Sequence, residues 1–229
     1  MAVASGGTWT AQYYKSPTGS ISINGGANFT ASTSVTLSLT YTAYVSSVAQ
    51  VRYSNDGAGW TAWEAPALSS AWSLASGDGM KTVYYQVKDS GGLVSSTYSD
   101  SIMLDTAVPA GSTQINDGAT YTNVTTATLT LLATDVSGSG VAEMRFSDNG
   151  ASFTAWESYS TSKSWTLVGG PGTKYVYVQF KDRVDLTVAA YDAIVLDTML
   201  PVANAGQNQN AQIGQTVTFS GSGSRITLA

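Results

Sequence analysis

Two pairs of acidic residues stand close together in the chain, Asp56 with Glu64 and Asp148 with Glu157. A pair of carboxylates at the right separation is the working part of a glycosidase, one serving as acid and the other as nucleophile or base. Here the first member of each pair sits in a turn-forming run, Asn55-Asp56-Gly57 or Asp148-Asn149-Gly150, and the spacing differs between the pairs. The expectation is turn chemistry plus a solvated charge. Ser162-Lys163 places a hydroxyl beside an amine but has no nucleophile motif around it. The 229 residues include no histidine and no cysteine, which removes the commonest general base, the thiol nucleophiles and the usual zinc ligands. Asp100, Asp105, Asp192 and Asp197 offer carboxylates that could clamp calcium at module ends, but no EF-hand loop accompanies them, so structural roles are expected. No catalytic, cofactor-binding or metal-binding residue is assigned, and the chain is expected to be non-enzymatic with no cofactor.

Aromatic residues are the other source of chemistry. Trp60 and Trp63 are three apart, which on a strand puts them on opposite faces, so one ring packs inward while Trp63 covers the sheet or stacks on a sugar or a partner. Trp156 repeats Trp63. Trp9, Tyr13 and Tyr14 precede the first repeat and are further candidates for partner or glycan contact.

What positions these residues is a duplicated unit. Tyr53-Ser-Asn-Asp-Gly57 and Trp60-Thr-Ala-Trp-Glu64 return as Phe146-Ser-Asp-Asn-Gly150 and Phe153-Thr-Ala-Trp-Glu157. Lys81-Thr-Val-Tyr-Tyr-Gln-Val-Lys-Asp89 returns as Lys174-Tyr-Val-Tyr-Val-Gln-Phe-Lys-Asp182, and Leu104-Asp-Thr as Leu196-Asp-Thr. The period is roughly 90 residues, the length of a whole small domain. Apolar residues alternate with period two: Val35, Leu37 and Leu39, then Ala127, Leu129 and Leu131 in the second copy. Val83, Tyr85 and Val87 match Val176, Val178 and Phe180 as inward rows, with Tyr84, Gln86 and Lys88 facing outward. Ile102 with Leu104 and Ile194 with Leu196 supply a last strand. Gly77-Asp-Gly79 and Gly169-Gly-Pro-Gly172 add turns. About seven short strands per copy predict two antiparallel β-sandwiches, an all-β fold with no helix.

The Arg-Tyr/Phe-Ser-x-x-Gly, Thr-Ala-Trp-Glu, Trp-x-Leu, Val-Tyr-x-Gln-x-Lys-Asp and Leu-Asp-Thr-x-x-Pro series resembles the bacterial and archaeal immunoglobulin-like (Big or fibronectin-III-like) repeats of secreted and cell-surface proteins, over about residues 20–201. Copy one departs at Tyr41-Thr-Ala-Tyr44 and copy two at Arg183-Val-Asp185. After Pro201, the run Val202-Ala-Asn-Ala-Gly and Gly214-Gln-Thr-Val-Thr-Phe-Ser-Gly-Ser222 resembles the opening strands of a PKD domain. The expected organisation is an N-terminal segment 1–19, immunoglobulin-like sandwiches 20–109 and 110–201, and an incomplete PKD-like fragment 202–229. The resemblance implies spacer and adhesive roles. A strand over 216–220, carrying Val217 and Phe219, would pair locally or add to a neighbour's sheet edge, making it the candidate assembly strand.

Net charge is −5 and only 11% of residues are charged, so there is no basic stripe to neutralise phosphates and no nucleic-acid partner is expected. No apolar run is long enough to span a bilayer, and Met1 to Ser20 carries no apolar leader core. Membrane insertion is not expected. The leading expectation is a structural or adhesive module of an extracellular or cell-surface assembly, self-associating or joining other surface proteins. A virion decoration or tail protein, and a polysaccharide-binding appendage of a larger secreted enzyme, stand as the alternatives.

Overall fold

The computed structural model describes residues 14–136, 138–204, 208, 210–216, 218 and 224. The chain divides into two compact units, Met1–Ala107 with Ser137–Ser139, and Val108–Val136 with Gly140–Ala229. Each contains one β-sandwich.

In module 1 the strands are β1 (Thr18–Ile23), β2 (Phe29–Thr30), β3 (Ser34–Thr42), β4 (Val48–Ser54), β5 (Ser69–Ser73), β6 (Gly79–Asp89) and β7 (Tyr98–Leu104). They form a three-stranded sheet in the order β1-β3-β5 and a four-stranded sheet in the order β2-β7-β6-β4. All pairings are antiparallel except β2 on β7, which is parallel. Module 2 has β8 (Ala110–Ile115), β9 (Tyr121–Thr122), β10 (Thr126–Thr134), β11 (Val141–Ser147), β12 (Glu157–Ser158), β13 (Ser162–Thr166), β14 (Gly172–Asp182) and β15 (Thr187–Leu196). Its sheets run β13-β10-β8 and β12-β11-β14-β15-β9, again with a single parallel pairing, β9 on β15. This is the immunoglobulin-like arrangement of two facing sheets.

The expected inward rows close both cores. Val35, Leu37 and Leu39 are buried on β3, Val83, Tyr85 and Val87 on β6, and Ile102 and Leu104 on β7. Ala127, Leu129 and Leu131, then Val176, Val178 and Phe180, then Ile194 and Leu196, do the same in module 2. Alternation is the cause: a half-buried strand places every second side chain on the core face, where a fully buried aliphatic side chain contributes roughly 1.5–3 kcal/mol. One short turn of 3-10 type, Asn116–Gly118, follows β8, and it is left-handed rather than a true helix, since Asn116, Asp117 and Gly118 all take positive φ. Asn and Asp accept that conformation, and the Asn116 side chain then receives the Thr128 amide at 2.8 Å.

The hairpin turns are where the glycines fall. Gly57 and Gly150 have φ of +74° and +70°, a conformation L side chains rarely adopt. The return segment after each turn is less regular than expected. In module 1 it is an extended stretch touching β4 through the Thr61 amide on the Tyr53 carbonyl and a bridge between Val51 and Glu64.

Candidate functional site

The turn carboxylate of module 1 is consumed by its own backbone. Asp56 Oδ1 accepts the amides of Ala58 (2.8 Å) and Gly59 (2.7 Å) and the Ser54 hydroxyl (2.8 Å). These donors, the Ala58 amide first, hold the Asp56 carboxyl below the usual carboxylate range. In module 2 a neutral Asn149 does the same work, its Oδ1 accepting the Ala151 and Ser152 amides at 2.9 Å each. A position that accepts Asp or Asn alike is turn chemistry, as expected. Lys163, beside Ser162, donates to both carboxylate oxygens of Glu157 at 2.7 Å, so its amine is engaged in an ion pair.

The other member of each turn ties the two sheets of a module together. Asn55 Oδ1 accepts the indole N–H of Trp72 on β5 at 2.8 Å, and Asp148 Oδ1 accepts that of Trp165 on β13 at 2.9 Å. Each indole packs on a buried core ring, Trp72 on Tyr53 at 5.5 Å and Trp165 on Phe146 at 5.4 Å between centroids.

Three of the four carboxylates considered for calcium, Asp100, Asp192 and Asp197, serve their own modules as clamps and caps. Asp100 shares the inward parity of Ile102 and Leu104, and its Oδ2 receives the Ile23 amide of β1 at 2.7 Å. Asp192 on β15 receives the Ile115 amide of β8 at the same 2.7 Å. Both β1 and β8 are edge strands, so these carboxylates supply acceptors the ladder does not. Asp197 caps a strand end, accepting the Met199 amide at 3.0 Å, while Asp105 accepts the Ser139 amide at Oδ2 (2.7 Å) and the Ala107 amide at Oδ1 (3.2 Å).

The tryptophans correct the strand-based expectation. Trp60 and Trp63 are not divided between opposite faces, because the segment holding them is not a regular strand. The Arg52 guanidinium lies over both rings, 4.6 Å from the Trp60 centroid and 4.4 Å from that of Trp63, and Lys88 lies 4.6 Å from Trp63. Arg52 also donates to Gln86 Oε1 from Nε (2.9 Å) and from a terminal nitrogen (2.6 Å). Module 2 repeats the arrangement: Arg145 lies over Phe153 (4.9 Å) and Trp156 (4.4 Å), Lys181 over Trp156 (4.7 Å), and Arg145 Nε bonds Gln179 Oε1 at 2.7 Å. Trp63 and Trp156 are half-buried and cover the outer sheet face. Lys181 is further held by Glu143 at 2.6 Å, whose carboxylate raises the lysine above its ordinary range.

Of the remaining candidates, Tyr14 is exposed, while Trp9, Tyr13, Val217 and Phe219 lie outside the described residues. One group escaped the sequence reasoning. Tyr175 and Tyr177 on β14 and Tyr191 on β15 form a contiguous ring cluster on the outer face of module 2, with centroids 5.4 to 6.3 Å apart. The signal was present in the alignment of the two copies. The corresponding outward positions in module 1 are Thr82, Tyr84 and Ser99, so two of the three rings belong to module 2 alone.

No family model matches the sequence, and no curated protein matches it. Among solved structures, the chain is similar to the fibronectin(III)-like modules of Clostridium thermocellum CbhA, at 14% identity over 77% of this chain and 93% of that one, with a TM-score of 0.44. It is similar to the D00-D0 domain of intimin at 14% identity over 79% and 100%, TM-score 0.36. The PKD1 domain of Vibrio anguillarum Epp matches at 15% identity over 42% and 100%, TM-score 0.32. All three scores fall below one half, and nothing about ligand or role follows from them.

Proposed function

We propose that this chain is a non-enzymatic, load-bearing and adhesive module of an extracellular surface assembly. The observation that carries the reading is the parallel pairing near the two ends of each sandwich. In module 1, β2 pairs with the last strand, β7, through Met103 N–H on the Asn28 carbonyl and Asp105 N–H on that of Thr30, each at 3.0 Å. In module 2, β9 pairs with β15 through Val195 on Thr120 (3.0 Å) and Asp197 on Thr122 (2.8 Å). When an early strand and the last strand run parallel, tension applied through the chain acts along both strands in opposite senses. The bonds between them are then sheared together rather than opened one at a time. A fold of this kind transmits force well.

The repeated polar residues support the same reading, since Asp100, Asp192, Asn55, Asp148, Arg52 and Arg145 are all occupied within their own modules. Self-association through 216–220, and a virion setting, are variants of this reading that concern where the module is mounted. No helix among the described residues is long and apolar enough to cross a membrane.

The test is single-molecule pulling on the full chain. Two unfolding steps of similar length, each at a force well above that of strand-by-strand peeling, are expected. Progressive low-force extension would overturn the load-bearing reading. Turnover of a glycoside lost in Glu64→Gln or Glu157→Gln would overturn the non-enzymatic one.

A further inference from the structure

We propose that the outer face of the five-stranded sheet in module 2 binds a neutral polysaccharide, with Tyr175, Tyr177 and Tyr191 as the stacking platform. The inference deepens the adhesive part of the proposed function and rests on it.

Three observations carry it. The first is exposure: Tyr191 is 63% and Tyr175 45% exposed, although both lie on a sheet face where a hydroxyl would serve for folding. Tyr177 and Tyr191 are directly opposite in the β14–β15 register, with ring centroids 5.4 Å apart, so the strands hold them in fixed relation. Rigid, two-torsion side chains of this kind offer large contact area at little entropic cost.

The second is the internal comparison. Module 1 builds the same strands with Thr82 in place of Tyr175 and Ser99 in place of Tyr191, and its Thr82 hydroxyl bonds Ser101 at 2.8 Å. The fold therefore does not require tyrosine at either position.

The third is what adjoins the rings. A cleft of about 210 Å³ is lined by Tyr175, Thr173, Lys174, Asp148 and Val168. It offers the Lys174 ammonium and the Thr173 hydroxyl beside an aromatic wall, with the Asp148 carboxylate, already bonded to the Trp165 indole, balancing the ammonium's charge. A pyranose presents a C–H face to a ring and a rim of hydroxyls that both donate and accept, which is what this combination matches. A phosphate-rich or strongly acidic polymer would meet no net positive charge here.

The test uses the full chain and its Tyr175→Thr/Tyr191→Ser variant, which installs module 1's own residues. Co-sedimentation with insoluble cellulose, chitin and β-1,3-glucan is measured alongside melting temperature and light-scattering mass. Retention of the wild type on at least one polymer, reduced tenfold or more in the variant at unchanged melting temperature, is expected. No retention of the wild type on any of the three, or equal retention of the variant, overturns the proposal. So does a fall in melting temperature of more than about 10 °C, which makes the rings structural, or a wild-type oligomer that the variant dissolves, which makes the face a contact with a second copy. Two pulling steps without polysaccharide retention would leave the load-bearing reading standing and remove only this one.

Discussion

Asp192 on β15 holds the backbone amide of Ile115 on β8 at 2.7 Å, joining the two sheets of module 2 at a margin that no ladder bond crosses. Asp100 does the same for Ile23 in module 1. Removing the acceptor leaves a part-buried amide without its partner, at a cost of about 1–3 kcal/mol. Asp192→Ala is expected to lower the stability of module 2 by that amount in a urea titration. Asp192→Asn, which retains a carbonyl acceptor, should lose less.

Gly111 lies against the ring of Phe180. A Cβ added there would run into Phe180 Cδ2 and stand 2.7 Å from Cε2, far inside contact distance. Gly111→Ala should therefore destabilise module 2 by about 1–3 kcal/mol through overpacking. A Phe180→Leu change on the Gly111→Ala background should recover part of the loss, and a double-mutant cycle by chemical denaturation measures the coupling.

Trp156 is clamped between Arg145 and Lys181, and Arg145 is aligned by Gln179. Trp156→Ala should remove two cation–π contacts of about 0.5–2 kcal/mol each, along with the ring's burial. A melting temperature lowered by several degrees is expected. Arg145→Lys keeps the charge but loses the planar stack and the directed bond to Gln179, and should be intermediate. A Trp156→Ala protein with unchanged thermal stability would show that the ring is not holding the sheet face.

The pH dependence of module 1 should show at both ends of the scale, with different groups responsible. The Asp56 carboxyl is held low chiefly by the Ala58 amide, and the Asp89 carboxyl by the Ser46 hydroxyl and then the Leu93, Gly91 and Gly92 amides. Their contribution is complete above the unfolded carboxylate value of about 3.9 and is lost as pH falls through the depressed folded values. Asp56→Asn, which copies module 2, should flatten the fall in melting temperature between about pH 4 and pH 2.

At the alkaline end, burial raises the Tyr85 and Tyr53 phenols above their ordinary value. The stability tied to keeping them neutral is complete below about pH 10 and is lost as pH rises through the folded values. Tyr53→Phe/Tyr85→Phe should resist alkali better than the wild type, as followed by circular dichroism. Module 2, with Phe146 and Val178 at these positions, lacks this tyrosine contribution, and its alkaline loss is left to the Lys181 amine raised by Glu143.

The cores were legible because period-two alternation is a direct readout of which face is wet. The rows at 35–39, 83–87, 127–131 and 176–180 all fall where the sequence puts them. The turns at Gly57 and Gly150 were legible because only a few residue types tolerate positive φ. The Trp60–Arg52–Trp63 stack was not, because the period of a strand was applied to a segment held by isolated bonds. The Asp100 and Asp192 clamps were missed for a different reason. Each partner is a backbone amide 77 residues away, and an amide has no side-chain signature to read. The tyrosine cluster was readable only by asking where the copies disagree on an outward row, since agreement between copies reports the scaffold.

The strands at one margin of each larger sheet, β2 and β9, are two residues long, as is β12 at the opposite margin in module 2. A polypeptide that carries near-copies of one sequence side by side is prone to exchanging equivalent strands between neighbours while it folds. A two-residue border offers an incoming strand almost no row of unpaired amides and carbonyls to copy. At those borders, though not along the longer edges β1, β4, β5, β8 and β13, a neighbouring copy finds little to pair with, which eases the building of length by gene duplication.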